Sequence, residues 1–158
     1  MDTRIATCLW FDGNGHAAAR FYCTLFHDAE ITDVSYQMNP DGSRGAPLVT
    51  AFTLLGQRYQ ALDGGPHYTL SPACSISVTV DGQAEVDRLW DALLADGGTE
   101  SRCGWLTDRF GLSWQIIPQQ LYTPISLPDR AAAGRAIAAM MGMVKLDVAT
   151  LEAAARGD

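Results

Sequence analysis

The sequence has little positive charge. Its 158 residues include 11 lysines and arginines against 18 aspartates and glutamates, which gives a formal net charge of −7 at pH 7. Nucleic-acid-binding proteins need a basic face to neutralise phosphates, so this balance argues against a nucleic-acid partner. It also disfavours an anionic membrane surface or a highly anionic substrate, although a local basic pocket is compatible with it.

Long apolar runs and metal-binding cysteine patterns are absent as well. No stretch reaches the roughly 18 apolar residues that a membrane-spanning helix needs, and residues 1–7 carry Asp2 and Arg4 in place of the apolar core of a signal peptide. Four cysteines lack CxxC or zinc-ribbon spacing: Cys8, Cys23, Cys74 and Cys103. We therefore expect no membrane partner, reduced thiols and a cytoplasmic location.

One motif occurs twice. Residues 56–62 read G-x-x-Y-Q-x-L, and residues 111–117 read G-x-x-W-Q-x-I. Each copy predicts a turn glycine that leads into a short strand, with Gln60 and Gln115 at the same depth. Upstream of each copy, apolar residues spaced i, i+3, i+4, i+7 predict an amphipathic helix. The repetition of a strand, a helix and further strands indicates one module used twice.

The repeat predicts the organisation of the chain. We expect an α+β protein with a first βαβββ module at residues 1–66, a second at 67–118, and a linker with C-terminal helices at 119–158, all in one globular unit. The first module is predicted to have strands at 5–11, 31–38, 48–55 and 58–63, a helix at 15–26 and a loop at 39–47. The second is predicted to have strands at 74–80, 99–102, 104–107 and 112–118 and a helix at 83–95.

The residues beyond Pro118 do not belong to the repeat. Residues 119–128 lie among three prolines and predict a linker. A helix is predicted at 129–144, with an apolar stripe formed by Ile137, Met140, Met141 and Val144. Asp147 is expected to cap a last short helix.

Four segments carry a resemblance to a known family. They are I-x-x-C-L-W-F-D-G at 5–13, A-R-F-Y at 19–22, L-D-G-G-P-H at 62–67 and C-G-W-L-x-D-R-F-G-L-S-W-Q-I-I-P at 103–118. On these residues the chain resembles the vicinal oxygen chelate superfamily, and within it the PhnB-like proteins, which are often labelled 3-demethylubiquinone-9 3-methyltransferase-like. The resemblance implies two modules of the glyoxalase/bleomycin-resistance/dioxygenase type, a small molecule bound in a cup between them, and a homodimer.

The resemblance also indicates where a metal would bind. Metal-dependent members of the superfamily place histidines or carboxylates on the first and last strands of the modules. Here those places are occupied by four residues without a carboxylate or an imidazole: Cys8, Gln60, Ser77 and Gln115. Divalent ions prefer anionic oxygen or imidazole ligands. We therefore expect no catalytic metal and no cofactor, with a single glutamine ligand as the open alternative.

Seven residues are candidates for contact with a ligand: Cys8, Trp10, Gln60, His67, Ser77, Trp105 and Gln115. By alternation, Cys8 and Trp10 share the face of the first strand opposite the helix. The two glutamines are expected either to orient a polar group of a ligand or to bind each other and nearby backbone. The remaining candidates have structural alternatives as buried thiols, aromatic core residues or a loop histidine.

These observations favour a protein that binds a small, partly apolar molecule, and they leave open whether it is an enzyme. One alternative is a metal-dependent enzyme of glyoxalase or dioxygenase type, which stoichiometric metal would support. The other is methyl transfer, as the family label implies. Methyltransferases of the usual kind need a glycine-rich loop after their first strand, and residues 12–15 lack the G-x-G-x-x-G spacing.

Overall fold

The chain folds into two compact units, Met1–Leu70 and Ser71–Asp158. The computed structural model describes residues 3–126 and 128–158. Each unit is built on a four-stranded mixed sheet with helices, and the second unit also carries the C-terminal helices. The predicted α+β class, with two tandem modules and a helical extension, is confirmed.

The first unit contains four strands and one helix. They are Thr7–Phe11 (β1), Gly15–Leu25 (α1), Ala29–Met38 (β2), Arg44–Leu54 (β3) and Gln57–Asp63 (β4). The sheet order is β1-β4-β3-β2, with β1 parallel to β4 and the other pairs antiparallel. A helical crossover is what a parallel pair requires, and α1 follows β1. Part of the predicted loop at 39–47 belongs to β3.

Alternation along the strands separates a buried face of this sheet from an open one. Leu9 and Phe52 are 2% and 1% exposed, and the ring of Tyr22 on α1 lies 6.2 Å from that of Phe52. Cys8 and Gln60 point to the opposite face and are exposed. The helix therefore covers one face, and the other face is open.

The turn between β3 and β4 lies one residue earlier than the sequence suggested. Leu55 and Gly56 form the turn, with φ of 48° and 79°, and Leu54 pairs with Gln57. Two central residues with positive φ are typical of a type I′ turn, whose twist matches that of the flanking strands. Gly56 adopts this conformation without the steric cost that a side chain adds.

The second unit repeats the arrangement. Its elements are Ser75–Val80 (β5), Gly82–Leu94 (α2), Thr99–Glu100 (β6), Trp105–Thr107 (β7) and Ser113–Pro118 (β8). The sheet order is β5-β8-β7-β6, and again the first and last strands are parallel. The two copies of the sequence repeat thus fold into sheets with the same strand order.

The predicted apolar face of α2 is buried. Val86, Leu89, Trp90 and Leu93 are its buried residues, and Trp114 on β8 is 0% exposed, as expected for the helix-facing side of the sheet. A strand that began at residue 74, as predicted, would turn Cys74 toward the helix by alternation, and this expectation is wrong. The strand begins one residue later, and Cys74 is exposed in the preceding turn.

The C-terminal extension, residues 119–158, contains more helix than predicted. A 3₁₀ turn at Gln119–Leu121 and a short helix at Tyr122–Ile125 (α3) replace most of the expected linker. Two longer helices follow, Arg130–Met141 (α4) and Val148–Arg156 (α5). Among the described residues, no helix has the length and apolar character needed to cross a membrane.

The buried side of α4 differs from the predicted stripe. Its buried residues are Ala132, Ala133 and Ala136, whereas Ile137 and Met141 are 45% and 60% exposed. Small alanine side chains allow close packing against α5. The apolar stripe is therefore not the surface on which this helix docks, apart from Met140, which packs on the buried cluster described next.

A buried cluster anchors the extension. It consists of Ile117, Leu121, Leu146 and Leu151. The amide of Gln83 on α2 donates to the carbonyl of Leu146 at 3.2 Å and accepts from the backbone N–H of Val148 at 2.8 Å. As predicted, Asp147 caps the last helix, since its carboxylate accepts from the N–H of Thr150 at 2.7 Å.

Candidate functional site

One row of side chains crosses the open face of the first sheet. The strand register places Cys8 opposite Gln60, Gln60 opposite Ala51, and Ala51 opposite Asp33. Residues in register on neighbouring strands share a face, with Cβ atoms about 4.5–5.5 Å apart. The candidates Cys8 and Gln60 are therefore adjacent, and a carboxylate lies in the same row.

A cavity of 630 Å³ lies in the first unit, and this row contributes Gln60, Ala51 and Asp33 to its wall. Two guanidinium groups, those of Arg4 and Arg58, complete the charged part of the lining. The cavity thus combines a neutral amide, one carboxylate and two cations.

Apolar side chains form part of the cavity wall. Ile5, Ala6 and Ala51 contribute aliphatic surface, and Ile5 is 83% exposed. An exposed isoleucine beside a cavity offers apolar area that a bound molecule would cover, which is favourable by about 25 cal/mol per Å².

Trp10 occupies a fixed position beside this row. Its indole Nε1 donates to the carbonyl of Gly65 at 2.8 Å, and its ring meets that of Tyr68 edge-on at 5.0 Å between centroids. A Cβ added at Gly64 would lie 2.2 Å from the indole. Trp10 is therefore held against the segment after β4.

His67, three residues beyond Gly64, is exposed and does not line the cavity.

The second unit brings the other three candidates together. Ser77 lies opposite Gln115, and Gln115 lies opposite Trp105, on the face of the sheet away from α2. The Gln115 side-chain amide donates to the Ser75 hydroxyl at 2.8 Å. One hydrogen-bond donor of the Gln115 amide is therefore already used within the second unit, by the hydroxyl of Ser75 on β5.

Sequence reasoning missed Arg4, Asp33 and Arg58. Arg58 precedes Gln60 by two residues on the same strand, so alternation places both on one face. Because Arg58 and Gln60 both lie within the repeated motif at 56–62, the sequence alone could have identified Arg58 as a neighbour of Gln60 on this face. The face on which Asp33 lies could not be predicted. The register of β2 shifts between Ile31 and Asp33, and simple alternation fails across such a shift.

Comparison with known proteins gives the family. The family model for 3-demethylubiquinone-9 3-methyltransferase matches residues 3–117. A PhnB protein from Bacillus cereus is 32% identical, with a TM-score of 0.65, over 73% of this chain and 99% of that chain. The chain belongs to the PhnB family.

Two further solved structures are similar. Protein PA1353 from Pseudomonas aeruginosa is 26% identical, with a TM-score of 0.58, over 74% of this chain and 98% of that chain. The fosfomycin resistance protein FosX from Listeria monocytogenes shares the fold, at 12% identity and a TM-score of 0.50, over 75% of this chain and 93% of that chain. No curated protein is similar enough in sequence to match. These findings confirm the resemblance to PhnB-like proteins, and the likeness to FosX shows a shared fold.

Two of the segments that carry the family resemblance serve the fold. In L-D-G-G-P-H, Asp63 accepts hydrogen bonds from the N–H groups of Gly15 at 2.7 Å and His16 at 3.3 Å, at the start of α1. Asn14, the residue at the N-cap position, makes no such side-chain bond. Asp63, the last residue of β4, thus caps a helix whose first residue lies 48 positions earlier in the chain.

The longest family segment contains a second structural carboxylate. Asp108 is 3% exposed, and its Oδ1 accepts from the N–H groups of Phe110 at 2.8 Å and Leu112 at 3.1 Å. Its Oδ2 accepts from the indole Nε1 of Trp114 at 2.9 Å. This aspartate ties the turn between β7 and β8 to the core tryptophan, in agreement with the expectation that carboxylates near turns are structural.

The four residues that the resemblance places at metal positions carry no carboxylate or imidazole group. In the register, Cys8 pairs with Gln60 and Ser77 with Gln115, so neither pair supplies a carboxylate or an imidazole. Over residues 3–126 and 128–158, no three His, Cys, Asp or Glu side chains lie together in a way that could hold a metal ion. Whether the protein uses a catalytic metal stays a prediction that elemental analysis must test.

Proposed function

We propose that this PhnB-family protein binds a small, partly apolar molecule on the open face of its first sheet, without a catalytic metal. The observation that supports this most directly is the 630 Å³ cavity beside Gln60. Small-molecule sites in proteins are commonly clefts of about 300–1,000 Å³, mostly apolar, with a few convergent polar groups. The cavity matches that description in size, and its lining combines apolar side chains with several polar and charged groups.

Gln60 is the residue proposed to orient the ligand. Its side chain is exposed and lies between Cys8 and Ala51 in the row across the sheet. A primary amide offers two donors and an acceptor, so it can bind a carbonyl, a hydroxyl or an oxyanion. Gln115 is proposed to play a similar part in its own unit, with one donor already given to Ser75.

The first experiment is an NMR titration with three probes that share a phenyl ring: benzamide, benzoate and phenyl phosphate. We expect at least one probe to shift the backbone amides of Ala51, Arg58 and Gln60. Gln60→Ala should weaken that probe's binding several-fold while changing the free energy of unfolding by less than about 0.5 kcal/mol, because an exposed side chain is replaced.

Gln57→Ala is the matched control, since Gln57 is exposed on the same strand and does not line the cavity. It should bind the probe like the original protein. If no probe shifts these amides at millimolar concentration, or if both variants weaken binding equally, the proposal is wrong.

The alternative function is a metal-dependent enzyme of glyoxalase or dioxygenase type. Elemental analysis of the purified protein separates the two proposals, because about one transition metal per chain that survives dialysis would favour the enzyme. Methyl transfer rests on the family's name alone, and saturable binding of S-adenosylmethionine would support it. The homodimer and the cytoplasmic location stay predictions.

A further inference from the structure

We propose that the group recognised in the cavity of the first unit is an oxyanion, either a carboxylate or a phosphate, bound by Arg4 and Arg58. The inference rests on the proposed function, because it names the chemical class of ligand for the same cavity. It differs from that proposal in a way that can be measured: a neutral molecule could fill the cavity equally well if the arginines had no role.

The first argument is the local balance of charge. The chain as a whole carries −7, yet the charged residues that line the cavity are two arginines and one aspartate, Asp33. The formal charge of the cavity lining is therefore +1. Its sign is opposite to that of the net charge of the whole chain. A concave site with a sign opposite to its surroundings raises the local concentration of the complementary ion.

The second argument is that the two arginines have no ion pair within the described residues. Four other cationic side chains form ion pairs: Arg88 with Glu85, Arg109 with Asp96, Lys145 with Asp87 and Arg156 with Asp158. Three more, Arg20, Arg102 and Arg130, resemble Arg4 and Arg58 in having no ion pair among the described residues, but they do not line the cavity. Arg44 lies over the ring of Tyr36 at 3.7 Å. Arg4 and Arg58 differ from these residues in facing a cavity, and even Asp33 in the same lining does not pair with them within 4 Å.

The third argument is the chemistry of the side chain. A guanidinium presents planar, paired N–H donors that match the two oxygens of a carboxylate or phosphate. Arg58 and Gln60 lie on the same face of β4, two residues apart, so the guanidinium and the amide can approach one oxyanion from the same side. The ring or chain of the ligand would then lie on Ala51, Ala6 and Ile5.

Asp33 adds a restriction on the ligand. It lies opposite Ala51, in the row that contains Gln60. A carboxylate in this place repels an anion that extends across the whole cavity, so the negative group of the ligand is expected at the arginines and a hydroxyl or other donor near Asp33. A molecule with an oxyanion at one end and a donor at the other fits this arrangement.

The test uses the same three probes on the full chain. Benzoate and phenyl phosphate should bind about tenfold tighter than benzamide, because charge-assisted hydrogen bonds are roughly twice as strong as neutral ones. Their relative affinities decide between a carboxylate and a phosphate. Raising the salt concentration should weaken the two anions and leave benzamide unchanged.

Arg4→Gln and Arg58→Gln should each remove most of this preference for anions. Arg20→Gln is the control, because Arg20 is exposed on α1 and changes the net charge by the same amount outside the cavity. Arg58→Lys keeps the charge but not the planar donor pair, and it should restore only part of the affinity.

The outcomes separate the two proposals. If benzamide binds as tightly as benzoate and phenyl phosphate, the oxyanion inference is wrong while the proposed binding function stands. The inference is also wrong if Arg20→Gln weakens anion binding as much as Arg58→Gln does. If none of the three probes binds, both proposals fail.

Discussion

At Asp108 one carboxylate organises a turn and a tryptophan at once. Two backbone N–H groups and the Trp114 indole donate to it, and the side chain is buried. Buried polar atoms that lose a partner cost about 1–3 kcal/mol each. The residue is therefore expected to matter for stability and not for binding.

Asp108→Asn should lower the free energy of unfolding by about 2–3 kcal/mol, since an amide NH₂ replaces the oxygen that accepts from the Trp114 indole. Urea denaturation measures the change. Asp12→Asn is the control, because Asp12 is exposed and its replacement should change stability by less than about 0.5 kcal/mol.

A double-mutant cycle with Trp114→Phe tests the cause. If the indole bond is responsible, the two changes together should cost less than the sum of the single costs. Additive costs would contradict this explanation of the Asp108 effect.

Single residues show how far the sequence can predict a site. Alternation correctly assigned Cys8 to the face of β1 opposite the helix, where it is exposed. Along β8, alternation puts Trp114 on the face opposite Gln115, in agreement with the 0% exposure of Trp114. It did not reveal Arg4, which precedes β1 and so has no strand pattern to assign it to a face. The binding role of the seven candidate residues stays a prediction.

At the scale of elements, helix α1 takes its cap from a distant part of the chain. The residue at its N-cap position, Asn14, makes no side-chain capping bond, and Asp63 supplies the acceptor instead. An anionic group at the start of a helix also interacts favourably with the helix dipole. The helix start is thus coupled to the end of β4.

Asp63→Ala should destabilise the first unit by about 1–2 kcal/mol, the usual cost of removing an N-cap side chain. Asn14→Ala is the matched control and should have little effect, although it lies at the formal cap position. Thermal unfolding of both variants gives the comparison. A larger loss for Asn14→Ala than for Asp63→Ala would refute the distant cap.

The elements of the repeat could be predicted better than those after it. Within the repeat, amphipathic spacing and turn glycines identified α1, α2 and the eight strands to within a few residues. In the extension, the predicted stripe of large apolar residues does not mark the face through which α4 packs within the chain. The helix packs through alanines instead, which are too common on exposed surfaces to identify a buried face by themselves.

At the scale of the whole molecule, the extension is the part that lies beyond the family match. The family model ends at residue 117, and the cluster of Ile117, Leu121, Leu146 and Leu151 begins there. The ion pair between Lys145 and Asp87, at 2.8 Å, also joins the extension to α2. The Lys145 hydrogen bond lowers the pKa of Asp87, but exposed pairs contribute only about 0–1 kcal/mol. Apolar burial must therefore dominate the attachment.

Leu146→Ala should release the extension from the second unit. Leu146 is 0% exposed, and replacing a buried leucine by alanine costs about 2–5 kcal/mol. Hydrogen exchange at the amides of α5 should speed up strongly. Val144→Ala is the control, because Val144 is 42% exposed and its loss should leave exchange nearly unchanged. Equal exchange rates in the two variants would show that the cluster does not hold the extension.

The contact between Trp10 and Gly64 links two positions far apart in the sequence. The indole leaves no room for a Cβ at residue 64, where an added carbon would lie 2.2 Å from the ring. Any relative that gains a side chain at position 64 must shrink or move the aromatic at position 10, and one that keeps the tryptophan must keep the glycine. We therefore expect a side chain at position 64 only in relatives whose residue at position 10 is smaller than tryptophan or is placed differently.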